Sequence, residues 1–231
     1  MNVEILETTV EKRLTPRERD EPEAAAQLHS EAALLVALRG TGLAPRLLAS
    51  GADFLRLERL PFPTLAMRME QGVIDKSWLG HAAIRAFEAL ARLHGAKDER
   101  GWLRVVHADL SPGNLVIEDA AVVFLDFGLS AWRQSPPRDG AFRGTLAYAA
   151  PEIARGEPPT PTSDVFALAA SFVHALRGAA PRVGASFAAV LARAAEEPLD
   201  TTGLDPGLAA CLAHDPSERP AAHLVSIASQ W

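Results

Sequence analysis

The stretch that most restricts the fold runs over residues 163–176. Its core, VFALAASFVHAL from Val165, carries no Asp, Glu, Lys or Arg and places apolar residues on every side of any helix drawn through it. A helix apolar all round belongs in the interior of a large protein or in a membrane. The run is too short to span a bilayer. It is therefore expected to be a buried helix rather than a surface one. With 231 residues, 48% of them hydrophobic, the chain can bury such a helix within one large domain or two lobes flanking a cleft. The opening segment MNVEILETTVEKRL has charges where a signal peptide needs its apolar region. The single cysteine, Cys211, permits no intramolecular disulfide and fits a small core residue in a reducing compartment. A net charge of −6 gives no support for a nucleic-acid surface, which needs clustered Lys and Arg. The expectation is a soluble, cytoplasmic protein with no nucleic-acid or membrane partner.

Ahead of that helix the pattern changes from strands to helices. Residues 3–14 alternate loosely and read as one strand, with a turn near Thr8 compatible with the pattern. TPRERDEP is polar and proline-bounded and reads as a loop. Residues 23–39 space Leu28, Ala32, Leu35 and Leu38 as a helix does, with Gly40 as its stop. APRLLASGADFLRLERL reads as two short strands around Gly51, and PFP at 61–63 breaks the pattern. A helix is predicted over 79–94 and a short strand at RVVHADL. NLVIEDAAVVFLDFG is predicted to be a hairpin turning at Glu118 and Asp119. Residues 130–150, with Pro136, Pro137, Gly140 and Gly144, read as a loop, and the remainder as interrupted helices. The predicted class is α+β, with a small sheet-plus-helix lobe over 1–60 and a larger, mostly helical lobe over 61–231.

The chemistry concentrates in VVHADLSPGN and LDFG. Asp109 is expected at the end of one strand and Asp126 at the end of the hairpin, with Asn114 between them. If the hairpin returns beside the first strand, two carboxylates and an amide meet at one edge. Mg²⁺ bound to nucleotide phosphates takes only one or two protein oxygens, which Asp126 and Asn114 can supply. Asp109 then remains free to accept a proton from a hydroxyl. Gly128 behind Asp126 offers backbone freedom. The histidines show no metal-ligand spacing.

HADLSPGN, LDFG and GTLAYAAPE resemble, in order and spacing, the catalytic loop, metal-binding loop and end of the activation segment of protein kinases. TSDVFALA resembles the start of that family's buried helix, whose acid (here Asp164) holds the catalytic-loop backbone. HDPSERP resembles the late motif whose arginine (here Arg219) pairs with the glutamate of the APE element (here Glu152). The resemblance covers the chain from about Lys12 onward. It implies a bilobal kinase-like fold, ATP and Mg²⁺ as cofactors, and a protein substrate. It also implies that Lys12, set by Glu31, binds phosphate, although Arg13 and Glu23 remain alternatives for that pair. Glu58 to Leu60 fall in the hinge against adenine, and Thr145 matches a position favouring Ser/Thr acceptors. His107 is implied as a packing and hydrogen-bonding residue beneath Asp126.

Three positions depart from the family pattern. No glycine precedes Gly40 and eleven residues precede Lys12, so the Gly-rich phosphate loop is missing and the nucleotide is expected to be held openly, or covered by a regulatory partner or second subunit. Ala108 stands where the family has an arginine that reads activation-segment phosphate, which suggests constitutive activity or control by a partner. Ser111 takes the place of the lysine that acts on the transferring phosphoryl group. HADLS with DFGLS leans toward the RIO kinases and the kinase of the tRNA-threonylcarbamoyl complex, and HADLSPGNL toward aminoglycoside phosphotransferases. Three readings follow: a minimal, atypical Ser/Thr protein kinase, a small-molecule phosphotransferase, and a pseudokinase scaffold.

Overall fold

The computed structural model describes residues 1–72, 74–118, 121–135 and 142–227. Residues 3–14 are divided between two strands by the turn near Thr8, forming a hairpin. β1 (Asn2–Ile5) pairs antiparallel with β2 (Thr9–Arg13), and the Leu6 N–H closes the turn on the Thr9 carbonyl at 2.8 Å. TPRERDEP contains a helical turn, α1 (Pro16–Arg19). Thr15 Oγ1 accepts from the Glu18 N–H while the Glu18 carboxylate accepts from the Thr15 N–H. This reciprocal cap with proline at the first helical position was already spelled in TPRE, but the polarity of the segment hid it.

α2 (Pro22–Ala37) follows, then β3 (Leu47–Ser50) and β4 (Phe54–Glu58). The four strands form one antiparallel sheet in the order β1-β2-β4-β3, with Lys12 opposite Leu55. Gly40 has φ +80 and lies two residues beyond the last helical position's cap, Leu38, so it ends the helix as its sequence implied.

α3 (Leu65–Glu70), α4 (Lys76–His94) and a two-residue ribbon of β5 (Lys97–Asp98) and β6 (Gly101–Trp102) come next. RVVHADL is not a strand. Arg104 and Ala108 have φ of 54° and 67°, which interrupts extended backbone on both sides of a single bridge between Val106 and Ala131. β7 (Leu115–Glu118) and β8 (Ala121–Phe124) form the predicted hairpin. Asp119, Pro136, Pro137 and Gly140 lie outside the described residues.

After α5 (Pro151–Ala154) comes the apolar helix, α6 (Pro161–Arg177). Thr160 and Ser163 cap its start reciprocally, and Gly178 ends it in the left-handed conformation. Val165, Phe166, Leu168, Ala169, Ala170 and Phe172 are essentially inaccessible, in one core with Phe87 of α4 and with Phe124 and Phe127. α7 (Phe187–Glu196) and α8 (Pro206–Cys211) complete the fold. Cys211 is wholly buried, and burial pushes its thiol up to about 12, so it is a core residue without thiolate chemistry. No helix among the described residues is long and apolar enough to cross a membrane.

Glu152 of α5 and Arg219 form a buried, two-pronged ion pair at 2.6 and 2.8 Å. The Arg219 Nε also donates to the Ala213 carbonyl at 2.7 Å, and the guanidinium lies 4.9 Å from the Phe166 ring centre. The pair fixes α5 to the C-terminal segment and to the central helix. Removing one partner strands the other as a buried charge. Arg219→Ala is expected to lower unfolding free energy by about 3–5 kcal/mol in urea titrations, and a loss below about 1 kcal/mol would contradict this placement.

Candidate active site

The site is assembled from three elements around one ammonium group. Lys12 lies on β2 with 6% of its surface exposed. Its Nζ donates to Glu31 Oε1 of α2 at 2.6 Å and to Asp126 Oδ1 at 2.7 Å. The neighbouring candidates are engaged elsewhere. Arg13 binds Glu11 and Asp53, while Glu23 lies near Arg143. Burial opposes the charge on Lys12, but Glu31 and Asp126 outweigh it and hold the ammonium above its ordinary pKa. Burial likewise pushes the Asp126 carboxyl up, and Lys12 with the Gly128 N–H more than reverses this, leaving Asp126 ionised below the ordinary range.

Gly128 matters through its missing side chain. The left-handed backbone falls on Asp126, at φ 59, and not on Gly128 as the sequence suggested. A Cβ on Gly128 would lie 3.1 Å from Asp126 Oδ1 and 3.3 Å from Glu31 Oε2. The glycine thus lets α2 approach the loop. A contact the sequence gave no sign of supports the same approach: the buried Trp132 donates its indole N–H to Ser30 Oγ, one residue from Glu31, at 3.0 Å.

Asp109 is placed by the central helix, not by a strand end. Asp164, 1% exposed on α6, accepts from the His107 N–H at 2.7 Å and the Ala108 N–H at 2.9 Å. His94 of α4 also reaches it, at 3.0 Å. His107 is completely buried. Its Nδ1 accepts from the Asp109 N–H at 3.3 Å, which puts the ring proton on Nε2 to meet the Leu125 carbonyl at 2.9 Å. His107 therefore links the two acidic loops. Ala108 is in the left-handed region at φ 67, a strained position for a residue with a Cβ, held by the bonds to Asp164.

Asn114 Nδ2 donates to the Asp109 carbonyl at 2.9 Å and reaches Asp109 Oδ2 at 3.4 Å. Since both partners are acceptors, the amide orientation is fixed and Oδ1 remains as an oxygen donor for a ligand. The Leu125 N–H donates to the Asn114 carbonyl at 2.9 Å, so Asn114 is next to the residue preceding Asp126. Asp126 engages only Oδ1 in hydrogen bonds among the described residues, and its side chain is 49% exposed. The amide and carboxylate oxygens therefore fit a hard divalent cation that completes its shell with phosphate and water. Among the described residues no group of three or more His, Cys, Asp and Glu could hold a metal without such help.

Asp109 Oδ1 accepts from the Thr145 N–H at 2.7 Å. Burial raises the Asp109 carboxyl above the ordinary range, although the Thr145 bond draws it down. Ser111 is buried at the start of the turn Pro112–Asn114 and puts no charge there. Glu58 ends β4. Its N–H donates to the Arg46 carbonyl at 3.0 Å, and its Oε1 accepts from the Arg46 N–H at 2.8 Å. Leu60 is half-buried just beyond.

Residues 50–228 match the family model described as the protein kinase domain. The chain belongs to the protein kinase family. It is 38% identical over 109 residues to the DNA damage-responsive serine/threonine-protein kinase RqkA of Deinococcus radiodurans, covering 45% of this chain and 16% of that protein. It is 30% identical over 168 residues to the probable serine/threonine-protein kinase PkwA of Thermomonospora curvata, covering 70% and 22%. Serine/threonine-protein kinase PknF of Mycobacterium tuberculosis is 33% identical over 148 residues, covering 57% and 31%. The matched parts thus span less than a third of each of these relatives. The family match begins at residue 50 and so does not reach Lys12 and Glu31.

A carboxyl held above its unfolded pKa contributes stability in full below the unfolded value and loses it as pH rises through the folded one. Asp109 is such a group, so its ionised form opposes folding near neutral pH. Asp109→Asn retains an acceptor for the Thr145 N–H and removes that charge. Its Tm is expected to exceed the parent's at about pH 8, with the gain shrinking toward about pH 4. Scanning calorimetry checks this, and a lower Tm at the higher pH would contradict the burial of Asp109.

Proposed function

We propose that this chain is a Ser/Thr protein kinase domain of reduced form that transfers the γ-phosphoryl group of ATP to a protein hydroxyl. The observation that carries the reading is the buried Lys12 ammonium joining Glu31 and Asp126, with the Leu125 N–H beside Asp126 bonded to the Asn114 carbonyl and the Asn114 amide bonded to Asp109. In this reading residues 1–60 and 61–231 are two lobes with the nucleotide between them. The sheet β1-β2-β4-β3 ends at Glu58, which supports a boundary there. Glu58 and Leu60 line the adenine side.

The acceptor hydroxyl oxygen forms a bond to the γ-phosphorus, the bond from that phosphorus to the β,γ-bridging oxygen breaks, and ADP leaves. Asp109 orients the hydroxyl and takes its proton, and a carboxyl raised by burial is the better base for it. Lys12 binds the α- and β-phosphates, and Glu31 holds its ammonium toward them. Asn114 and Asp126 would hold Mg²⁺, which neutralises charge developing on the phosphates. Ser111 borders the acceptor side and adds no positive charge there, so more of the electrostatic stabilisation falls to Lys12 and the metal. Ala108 offers no guanidinium to an activation-segment phosphate, so the site is read as assembled without that modification. A reducing, cytoplasmic setting belongs to the same reading.

The neutral Ser111 also favours a second reading, a nucleotide-binding scaffold. Transfer of labelled phosphate from ATP to a mixture of unstructured Ser/Thr polypeptides separates the two. Parent protein is expected to label the mixture, and Asp109→Asn and Asp126→Asn each to lower the rate by at least about 10²–10⁴-fold with the fold intact by circular dichroism. Undiminished transfer by Asp126→Asn would contradict the assignment. Mg-ATP binding without any transfer by the parent would favour the scaffold.

A further inference from the structure

Beside Asp109 the molecule carries a cleft of about 540 Å³ whose lining includes none of Lys12, Asp109, Asn114 and Asp126. It is lined by Thr145, whose N–H is bonded to Asp109. Its lining also takes in Ser111, Gly113, Met69 of α3 and Ala175 of α6. Its inner wall contains Tyr148 and His174. The Tyr148 hydroxyl and His174 Nδ1 lie 2.7 Å apart, and the rings stack with centres 5.9 Å apart. The Tyr148 hydroxyl and His174 Nδ1 thus satisfy each other. Burial also holds His174 toward its neutral form. Among the described residues no lysine or arginine lines the cleft, and its one carboxylate, Glu70, is at an exposed rim.

We propose that this cleft selects the acceptor, seating a leucine- or methionine-sized side chain of an extended polypeptide next to the hydroxyl held at Asp109. The inference rests on the phosphotransfer reading above and specifies its substrate class. Two effects compete at the cleft. Removing an aliphatic side chain from water is worth about tenfold to a hundredfold in binding. An exposed ion pair with Glu70 is worth about fivefold at most and is screened by salt. The apolar term dominates. The same balance excludes a polycationic small acceptor, which needs several converging carboxylates where the cleft supplies one.

The test is a set of Ser/Thr peptides differing only in the residues flanking the hydroxyl, assayed with labelled Mg-ATP alongside a polyamine sugar as a small-molecule acceptor. Peptides with Leu or Met at one flanking position are expected to exceed those with Ala, Asp or Arg there by at least about tenfold in kcat/KM, through KM. Ala175→Glu places a carboxylate in the wall and is expected to shift the preference toward Arg with KM for ATP unchanged. Ala66→Glu, on α3 across the cleft, repeats the test if the first variant is unstable. Peptide labelling with a flat or Arg-favouring profile in the parent overturns the inference and leaves the kinase reading standing. Label on the sugar alone overturns the substrate class, and label on no acceptor overturns both readings.

Discussion

A charged ammonium inside a protein is tolerated only when its charge is answered on the spot. Lys12 meets that condition twice, through Glu31 and Asp126. The three groups come from a strand, a helix and a loop far apart in sequence, so one buried cation sets the relation of the sheet to α2 and to the acidic loop. The local sequence complies at some cost. Asp126 adopts a left-handed backbone, which a residue with a Cβ resists, and Gly128 keeps the space clear for both carboxylates. The bond from Trp132 to Ser30 holds α2 against the same loop without any charge.

The second acidic loop depends on the central helix. α6 is apolar almost throughout, and its buried acid, Asp164, faces the backbone of His107 and Ala108. A carboxylate accepting two N–H groups there fixes the turn from which Asp109 projects. His107 then carries the restraint on to Leu125, one residue before Asp126. The helix that had to be buried on grounds of hydrophobicity is thus also the ruler for the polar site. Its far end contributes His174 and Ala175 to the cleft beside Thr145, so one rigid element reaches both Asp109 and that cleft.

Much of this was legible in the residues. The buried helix followed from its uniform apolarity, and the β7–β8 hairpin from two short apolar runs on either side of Glu118 and Asp119. Asp109, Asn114 and Asp126 could be grouped because their types suit one metal–phosphate ligand. Other features were hidden for physical reasons. TPRE looked like a loop because short caps are polar. RVVHADL looked like a strand because nothing in a side-chain pattern announces positive φ at Arg104 and Ala108. Composition could not tell Lys12 from Arg13. Their environments do, since adjacent strand residues face opposite sides of the sheet and only Lys12 turns inward to Glu31. The Trp132–Ser30 and Tyr148–His174 contacts join distant segments through single hydrogen bonds and leave no periodic trace.

The central claim is that Lys12, Asn114 and Asp126 converge on a magnesium–nucleotide with Asp109 facing the acceptor side. A crystal structure with Mg²⁺ and a non-hydrolysable ATP analogue tests it most directly. The triphosphate is predicted to lie against Lys12, with the metal on Asn114 Oδ1 and Asp126 and the γ-phosphate toward Asp109. A nucleotide bound away from Lys12, or a metal held without either Asn114 or Asp126, would contradict it.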